Sequence, residues 1–267
     1  MIVSDRRIGC RHSAVSPSRS PRADLDARRR AGALVAARED GPRGGLLVLH
    51  DGERRLELLP AADIPATHGG VAEFNIHNAL AAAAAAYAHG VPVDVVADAL
   101  RGFEGSFEQN PGRLNITTAP GFTTIVDYAH NPAALEALGR TLQAFRATHD
   151  RFIGVVSTPG DRRDEDIRDV GRVAAGIFDE LVLRERPDGR GRAPGDVVGL
   201  LRDGALAAGM PESRIRIIPE EQAAMDAALR SAGPRDLVLL HPTSVDAVWR
   251  QVQEFAAARA ARKGDAA

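Results

Sequence analysis

From residue 113 onward the chain alternates strand-like and helix-like stretches, and this alternation leaves few architectures open. Short apolar runs at residues 123–127, 152–157, 180–184, 214–218 and 237–240 have the length and composition of buried strands. Stretches of helical length lie at 132–146, 164–177, 194–208, 220–231 and 244–261. Repeated β-α units predict an α/β fold, a mostly parallel sheet with helices on both faces. Such sheets bind ligands at the carboxyl ends of their strands, so the loops that follow the strands are the places to look for chemistry.

Upstream the pattern differs. Residues 33–37, 45–49 and 54–59 read as short strands, separated by the turn signals Glu39-Asp40-Gly41-Pro42 and Asp51-Gly52, and predict a small antiparallel meander. Asn75-Ile76-His77-Asn78-Ala79-Leu80 opens a helix that continues through an alanine run to Ala86, with Gly90 as its stop. A second helix is predicted over residues 93–101, and the Gly-, Pro- and Asn-containing segment 102–112 reads as a connector between domains. Residues 1–31 are rich in Ser, Pro and Arg without apolar periodicity and read as a disordered arm. The division expected is therefore 1–31 arm, 32–110 first domain, 111–262 second domain and 263–267 tail.

Bulk properties exclude several functions. A formal net charge of -2 over 267 residues gives no global field for nucleic acid. No apolar run approaches the roughly 18 residues of a membrane span. One cysteine, Cys10, forms neither an internal disulfide nor a thiolate zinc cluster, which favours a reducing cytoplasm.

Three loops carry candidate chemistry. After the first parallel strand comes Asp127-Tyr128-Ala129-His130-Asn131-Pro132. Pro132 suits a first helical turn and Asn131 its N-cap, so a carboxylate, an imidazole and an anion-attracting helix end meet there. The same residues also make sense as a capped helix beside a solvated Asp and His. After the second strand, Thr158-Pro159-Gly160-Asp161-Arg162-Arg163-Asp164 offers two forked guanidinium donors, or an exposed turn capped by Asp164. After the third, residues 184–192 space Arg184, Arg186, Arg190 and Arg192 around glycines, which suits either anion binding or a flexible charged loop. Convergence of all three on one edge predicts an anionic or zwitterionic ligand. His241-Pro242-Thr243-Ser244, after the last strand, is a weaker candidate, with Ser244 read as a helix cap. The histidines have no metal-ligand spacing, so no metal site is predicted in this chain.

Together these residues resemble the Mur ligase family. Asn75-Ile76-His77-Asn78-Ala79-Leu80-Ala81-Ala82 is similar to that family's Asn-x-x-Asn-Ala-x-Ala-Ala helix, Pro111-Gly112-Arg113 to its Gly-Arg, and residues 127–132 to its Asp-Tyr-Ala-His-x-Pro motif. The Asn-Pro form of that motif, with Gly160-Asp161-Arg162-Arg163-Asp164 and Arg190-Gly191-Arg192, is closest to the branch that adds arginine to the aspartate side-chain carboxylate of an arginyl-aspartate polymer. The resemblance covers residues 45–260 or so. It implies a Rossmann-like C-terminal domain preceded by part of the family's central ATP-binding domain.

It also implies roles. Asn75 and Asn78 would approach adenine, Arg113 would meet ATP phosphates, and Asp127 would hold the ribose hydroxyls. His130 and Asn131 would lie near the reacting centre. Asp161, Arg162, Arg163, Arg190 and Arg192 would contact the amino acid or polymer. ATP and Mg²⁺ are the implied cofactors, and an acyl phosphate attacked by an amine is the implied route. The family's phosphate loop is missing from this sequence, which contains no Gly-x-x-x-x-Gly-Lys-Ser/Thr. The Mg²⁺ ligands are expected with that loop, in an N-terminal segment or partner subunit. Alternatives of another kind are a non-catalytic nucleotide- or amino-acid-binding module, and a fragment of a peptidoglycan-precursor or folylpolyglutamate ligase.

Overall fold

The computed structural model describes residues 14–15 and 32–264. The chain divides into two compact units at Glu104 and Gly105. In the first, β1 (Ala14–Val15), β2 (Leu34–Glu39), β3 (Leu46–Asp51) and β4 (Arg54–Pro60) form a sheet in that order. The expected meander is present, since β2 pairs antiparallel with β3 and β3 with β4. The parallel pairing of β1 with β2 corrects the reading of an arm without secondary structure at Ala14 and Val15. An open strand edge offers unpaired N–H and C=O groups to any extended segment. The rest of residues 1–31, Cys10 included, and residues 265–267 of the expected tail lie outside the described residues.

Two helices cover this sheet, α1 (Glu73–Ala88) and α2 (Val93–Arg101). Ile76, Leu80 and Ala83 of α1 pack with Leu47, Leu49 and Leu59 in one core. Small alanine side chains let the helix lie close to the strands. It stops where Gly90 takes φ +90°, a left-handed conformation that glycine adopts without strain.

In the second unit, six strands run β5-β6-β10-β7-β8-β9. They are β5 (Asn115–Thr117), β6 (Thr123–Val126), β7 (Arg151–Val156), β8 (Glu180–Leu183), β9 (Ile215–Ile217) and β10 (Asp236–Leu240). The helices are α3 (Pro132–Leu142), α4 (Asp164–Ile177), α5 (Asp196–Ala207), α6 (Glu221–Ser231) and α7 (Val245–Gly264). β6 through β10 pair in parallel, as the alternation predicts. The antiparallel edge strand β5 was not anticipated, being three residues long and without an apolar run.

Side chains alternate across a strand. Val126, Val155, Val182, Val238 and Leu240 face α6 and α7, in one core with Met225, Leu229, Val248 and Val252. Ile125, Leu181, Leu183 and Leu239 alternate with them, and their faces meet the buried stripes of α3, α4 and α5. The chain leaves β6 into α3 on one face and leaves the neighbouring β10 into α7 on the other. A crevice between adjacent strand ends follows from that divergence.

Candidate active site at the carboxyl edge of the sheet

Asp127 follows β6 and is 6% exposed. Its two carboxylate oxygens accept from the backbone N–H groups of Leu114 and Ala129, each at 2.8 Å. Burial pushes its pKa above the usual carboxylate value, against the opposing pull of those N–H groups and of Arg113. Asp127 thus braces the backbone around Leu114, which has φ +50°. Any ribose hydroxyl would have to share oxygens already engaged by the main chain. The N–H of Tyr128 donates to Gly112 O at 2.9 Å, and the N–H of Gly112 donates to Asn115 Oδ1 at 2.6 Å. This lashing carries Arg113 over the Tyr128 ring, 5.6 Å from its centroid.

Asn131 caps α3 by accepting from Ala134 N at 2.9 Å, as the capping rule predicts. Its side-chain oxygen is thus engaged by the helix end. His130 Nδ1 lies 3.0 Å from Tyr128 O. A carbonyl only accepts, so Nδ1 carries a proton in this contact. His241 has the opposite arrangement. It follows β10, is 2% exposed, and its Nδ1 accepts from Ser157 N at 3.4 Å, which leaves the proton on Nε2. Burial, then the charges of Arg184, His130 and Arg186, hold its pKa well below the usual histidine value. The Tyr128 ring centroid is 5.1 Å from that of His130 and 5.9 Å from that of His241.

Two arginines complete the cluster. Arg186 Nη2 donates to the Tyr128 hydroxyl at 3.1 Å. Arg184 is fully buried and donates to His241 O (2.7 Å), Thr243 Oγ1 (3.0 Å) and Glu185 O (3.0 Å). Glu221, at the start of α6, lies 3.5 Å from Arg184 and accepts from Thr243 N at 2.6 Å and Ser244 N at 3.2 Å. Burial draws the Arg184 pKa down to about 10, with Glu221 opposing the fall.

The loops after β7 and β8 are positioned as expected, but their charges meet each other. Arg190 pairs with Asp161 at 2.8 Å, and Arg192 with Asp164 at 2.7 Å and with the carbonyl of Gly160 at 2.6 Å. Arg163 pairs with Asp166 one turn along α4 and occupies the N-cap position expected of Asp164. Arg162 is exposed, and its carbonyl accepts from Arg192. Four of the five residues expected to touch amino acid or polymer, Asp161, Arg162, Arg190 and Arg192, therefore form a cross-brace between two loops, while Arg163 pairs with its own helix. The brace borders a pocket of about 110 Å³ whose walls include Thr158, Gly160, Arg186, Asp188 and Arg192.

Asn75 and Asn78 belong to the first unit. Asn75 donates to Ala66 O at 2.6 Å and accepts from Asn78 at 3.3 Å. Among the described residues no group of three or more His, Cys, Asp or Glu is placed to hold a metal ion. No helix among them is long and apolar enough to cross a membrane.

Five parallel strands ending in a capped helix, an Asp-Tyr-Ala-His loop and a cluster of arginines define a Mur-type C-terminal domain. The family model for the Mur ligase, glutamate ligase domain matches residues 112–244, and the chain belongs to the Mur ligase family. Within it the chain is similar to cyanophycin synthetases. It is 36% identical over 211 residues to that of Geminocystis herdmanii, covering 79% of this chain and 24% of the relative. With that of Trichormus variabilis it shares 39% over 214 residues, 80% of this chain and 23% of the relative. The chain spans about a quarter of the length of these relatives. The solved folylpolyglutamate synthase of Mycobacterium tuberculosis has the same fold, with a TM-score of 0.53 at 24% identity over 82% of this chain and 47% of that one.

Proposed function

We propose that the chain is the C-terminal part of an ATP-dependent acid–amino-acid ligase of the cyanophycin synthetase kind, one that adds an amino acid such as arginine to a side-chain carboxylate. The observation that carries this reading is the 36–39% identity to cyanophycin synthetases over 79–80% of the chain. ATP, when bound, supplies the phosphoryl group that activates the carboxylate. Arg113 and Arg186 flank Tyr128 at 5.6 and 5.7 Å from its ring centroid, and these two cations suit phosphate oxygens. His130, whose Nδ1 is engaged by Tyr128 O, suits in its neutral form the proton of an attacking ammonium group through Nε2. In this reading the Mg²⁺ ligands belong with a phosphate-loop segment, upstream or on a separate chain, that completes the ligase.

The test mixes this chain with a separately expressed phosphate-loop segment of a cyanophycin synthetase, ATP, L-arginine and an arginyl-aspartate primer. Arginine-dependent phosphate release is expected from the mixture and not from this chain alone, with loss of release in Arg113→Met. A mixture no more active than its separate parts, while the chain still binds ATP, would favour the binding-module alternative.

A further inference from the structure

Two unsatisfied buried polar atoms belong to residues in contact with Tyr128. Among the described residues, the buried side-chain atoms without a hydrogen-bond partner include Arg186 Nη1 and His241 Nε2. Both are donors in this setting. Guanidinium nitrogens only donate, and the His241 proton sits on Nε2 because Nδ1 accepts from Ser157 N. The Tyr128 hydroxyl accepts from Arg186 Nη2 at 3.1 Å, which leaves its own hydrogen to give. Leaving buried donors unmade costs about 1–3 kcal/mol each, so a cluster of them is a site waiting for an acceptor.

We propose that Tyr128, Arg186 and His241 form an oxyanion-binding site, taking a carboxylate or phosphoryl oxygen of the substrate at the crevice between the ends of β6, β10 and β8. The charge around it favours an anion. Arg113 and Arg186 both lie within 6 Å of the Tyr128 ring centroid, at 5.6 and 5.7 Å. Nearby carboxylates are already engaged: Glu221 with Arg184 and two N–H groups, Glu185 with Gly195 N, and Asp188 with Arg190 N. Arg186 also lines the 110 Å³ pocket. A neutral His241 suits this role, since Nε2–H donates without bringing a third full charge against Arg184 and Arg186. The Arg184–Glu221 pair holds the His241 turn and acts here only as a positioning element. The ligase reading supplies the two sources of the oxygen, a phosphoryl group or an amino-acid carboxylate, but not the geometry.

The test follows the imidazole nitrogens of His241 by NMR in the full chain labelled with ¹⁵N-histidine, during titration with inorganic phosphate, L-arginine and L-argininamide. A saturable shift of Nε2 with phosphate assigns a phosphoryl oxygen. One with L-arginine and not with the amide assigns a carboxylate. Either is expected to need at least a fivefold higher ligand concentration in Arg186→Met and in Tyr128→Phe, and to be unchanged in Arg172→Met on the exposed face of α4. No saturable shift with any ligand, or the same titration in Arg186→Met and Tyr128→Phe, overturns the site. Loss of the site with ATP binding and phosphate release intact would leave the ligase reading standing. A titratable site in a chain that gives no turnover when mixed would leave this one standing.

Discussion

Arg184 and Glu221 meet at 3.5 Å inside the second unit, the arginine side chain with no exposed surface and the glutamate with 4%. One comes from the end of β8 and the other from the first turn of α6. Between them they hold the turn that carries His241, Thr243 and Ser244.

Breaking that pair should be costly in a way that removing both charges is not. Arg184→Met or Glu221→Gln leaves an uncompensated buried charge, which costs about 3–5 kcal/mol. Arg184→Met combined with Glu221→Met is expected to cost clearly less than the sum of the single changes. Urea denaturation of the three variants measures this, and single variants within about 0.5 kcal/mol of the parent would deny the pair a structural role.

Stability should fall as pH drops below 6.5. The unfolded chain takes up a proton on His241 near the ordinary histidine value of 6.5, while the folded form, held well below it, does not. The unfolded state therefore binds more protons in that range, and stability is lost as pH falls toward the folded pKa. One such group contributes at most about 1.4 kcal/mol per pH unit. Denaturant midpoints from pH 5 to 7.5 should be flatter in His241→Gln; equal slopes in both proteins would show that His241 takes up its proton alike in the folded and unfolded states.

Helices α4 and α5 cross through two glycines. A Cβ on Gly171 would fall on the carbonyl oxygen of Leu201, and one on Gly204 would fall on that of Arg168. Each contact is with backbone, which cannot rotate away. Gly171→Ala and Gly204→Ala are expected to destabilise by about 1–3 kcal/mol despite the higher helix propensity of alanine. A thermal or urea midpoint at or above that of the parent would mean that the helices separate at little cost.

Phe107 stacks on Trp249 with ring centroids 4.7 Å apart and planes 3° from parallel. Trp249 is the one tryptophan in the sequence, so intrinsic emission reports this contact directly. Phe107→Ala should red-shift the emission while lowering stability by only about 0.5–1.5 kcal/mol beyond the area lost. Unaltered emission would place the connector residue away from α7 in solution.

Much of the second unit was legible in local signals. Pro132 and Asn131 marked the start of α3 because a missing N–H and a capping oxygen act within one turn, and the structure keeps both. The limits of α4 matched residues 164–177, and the five parallel strands lay within two residues of their expected ends. The meander of the first unit was also readable, through its turn signals. The edge strand β5 was not, since three residues carry no periodicity and pair only because β6 presents an open edge.

The candidate site divides along the same line. Its loops were found because β-α alternation sends every strand end to one edge, a consequence of strand direction that the sequence pattern alone determines. Which charges face each other was settled only in three dimensions. Arg190 meets Asp161 across 29 residues and Arg192 meets Asp164 across 28, pairings that sequence spacing alone does not reveal. His241, read as a weak candidate, became central because β10 inserts between β6 and β7. Strand order is a cooperative result of long-range pairing and helix packing, and no local stretch of sequence encodes it.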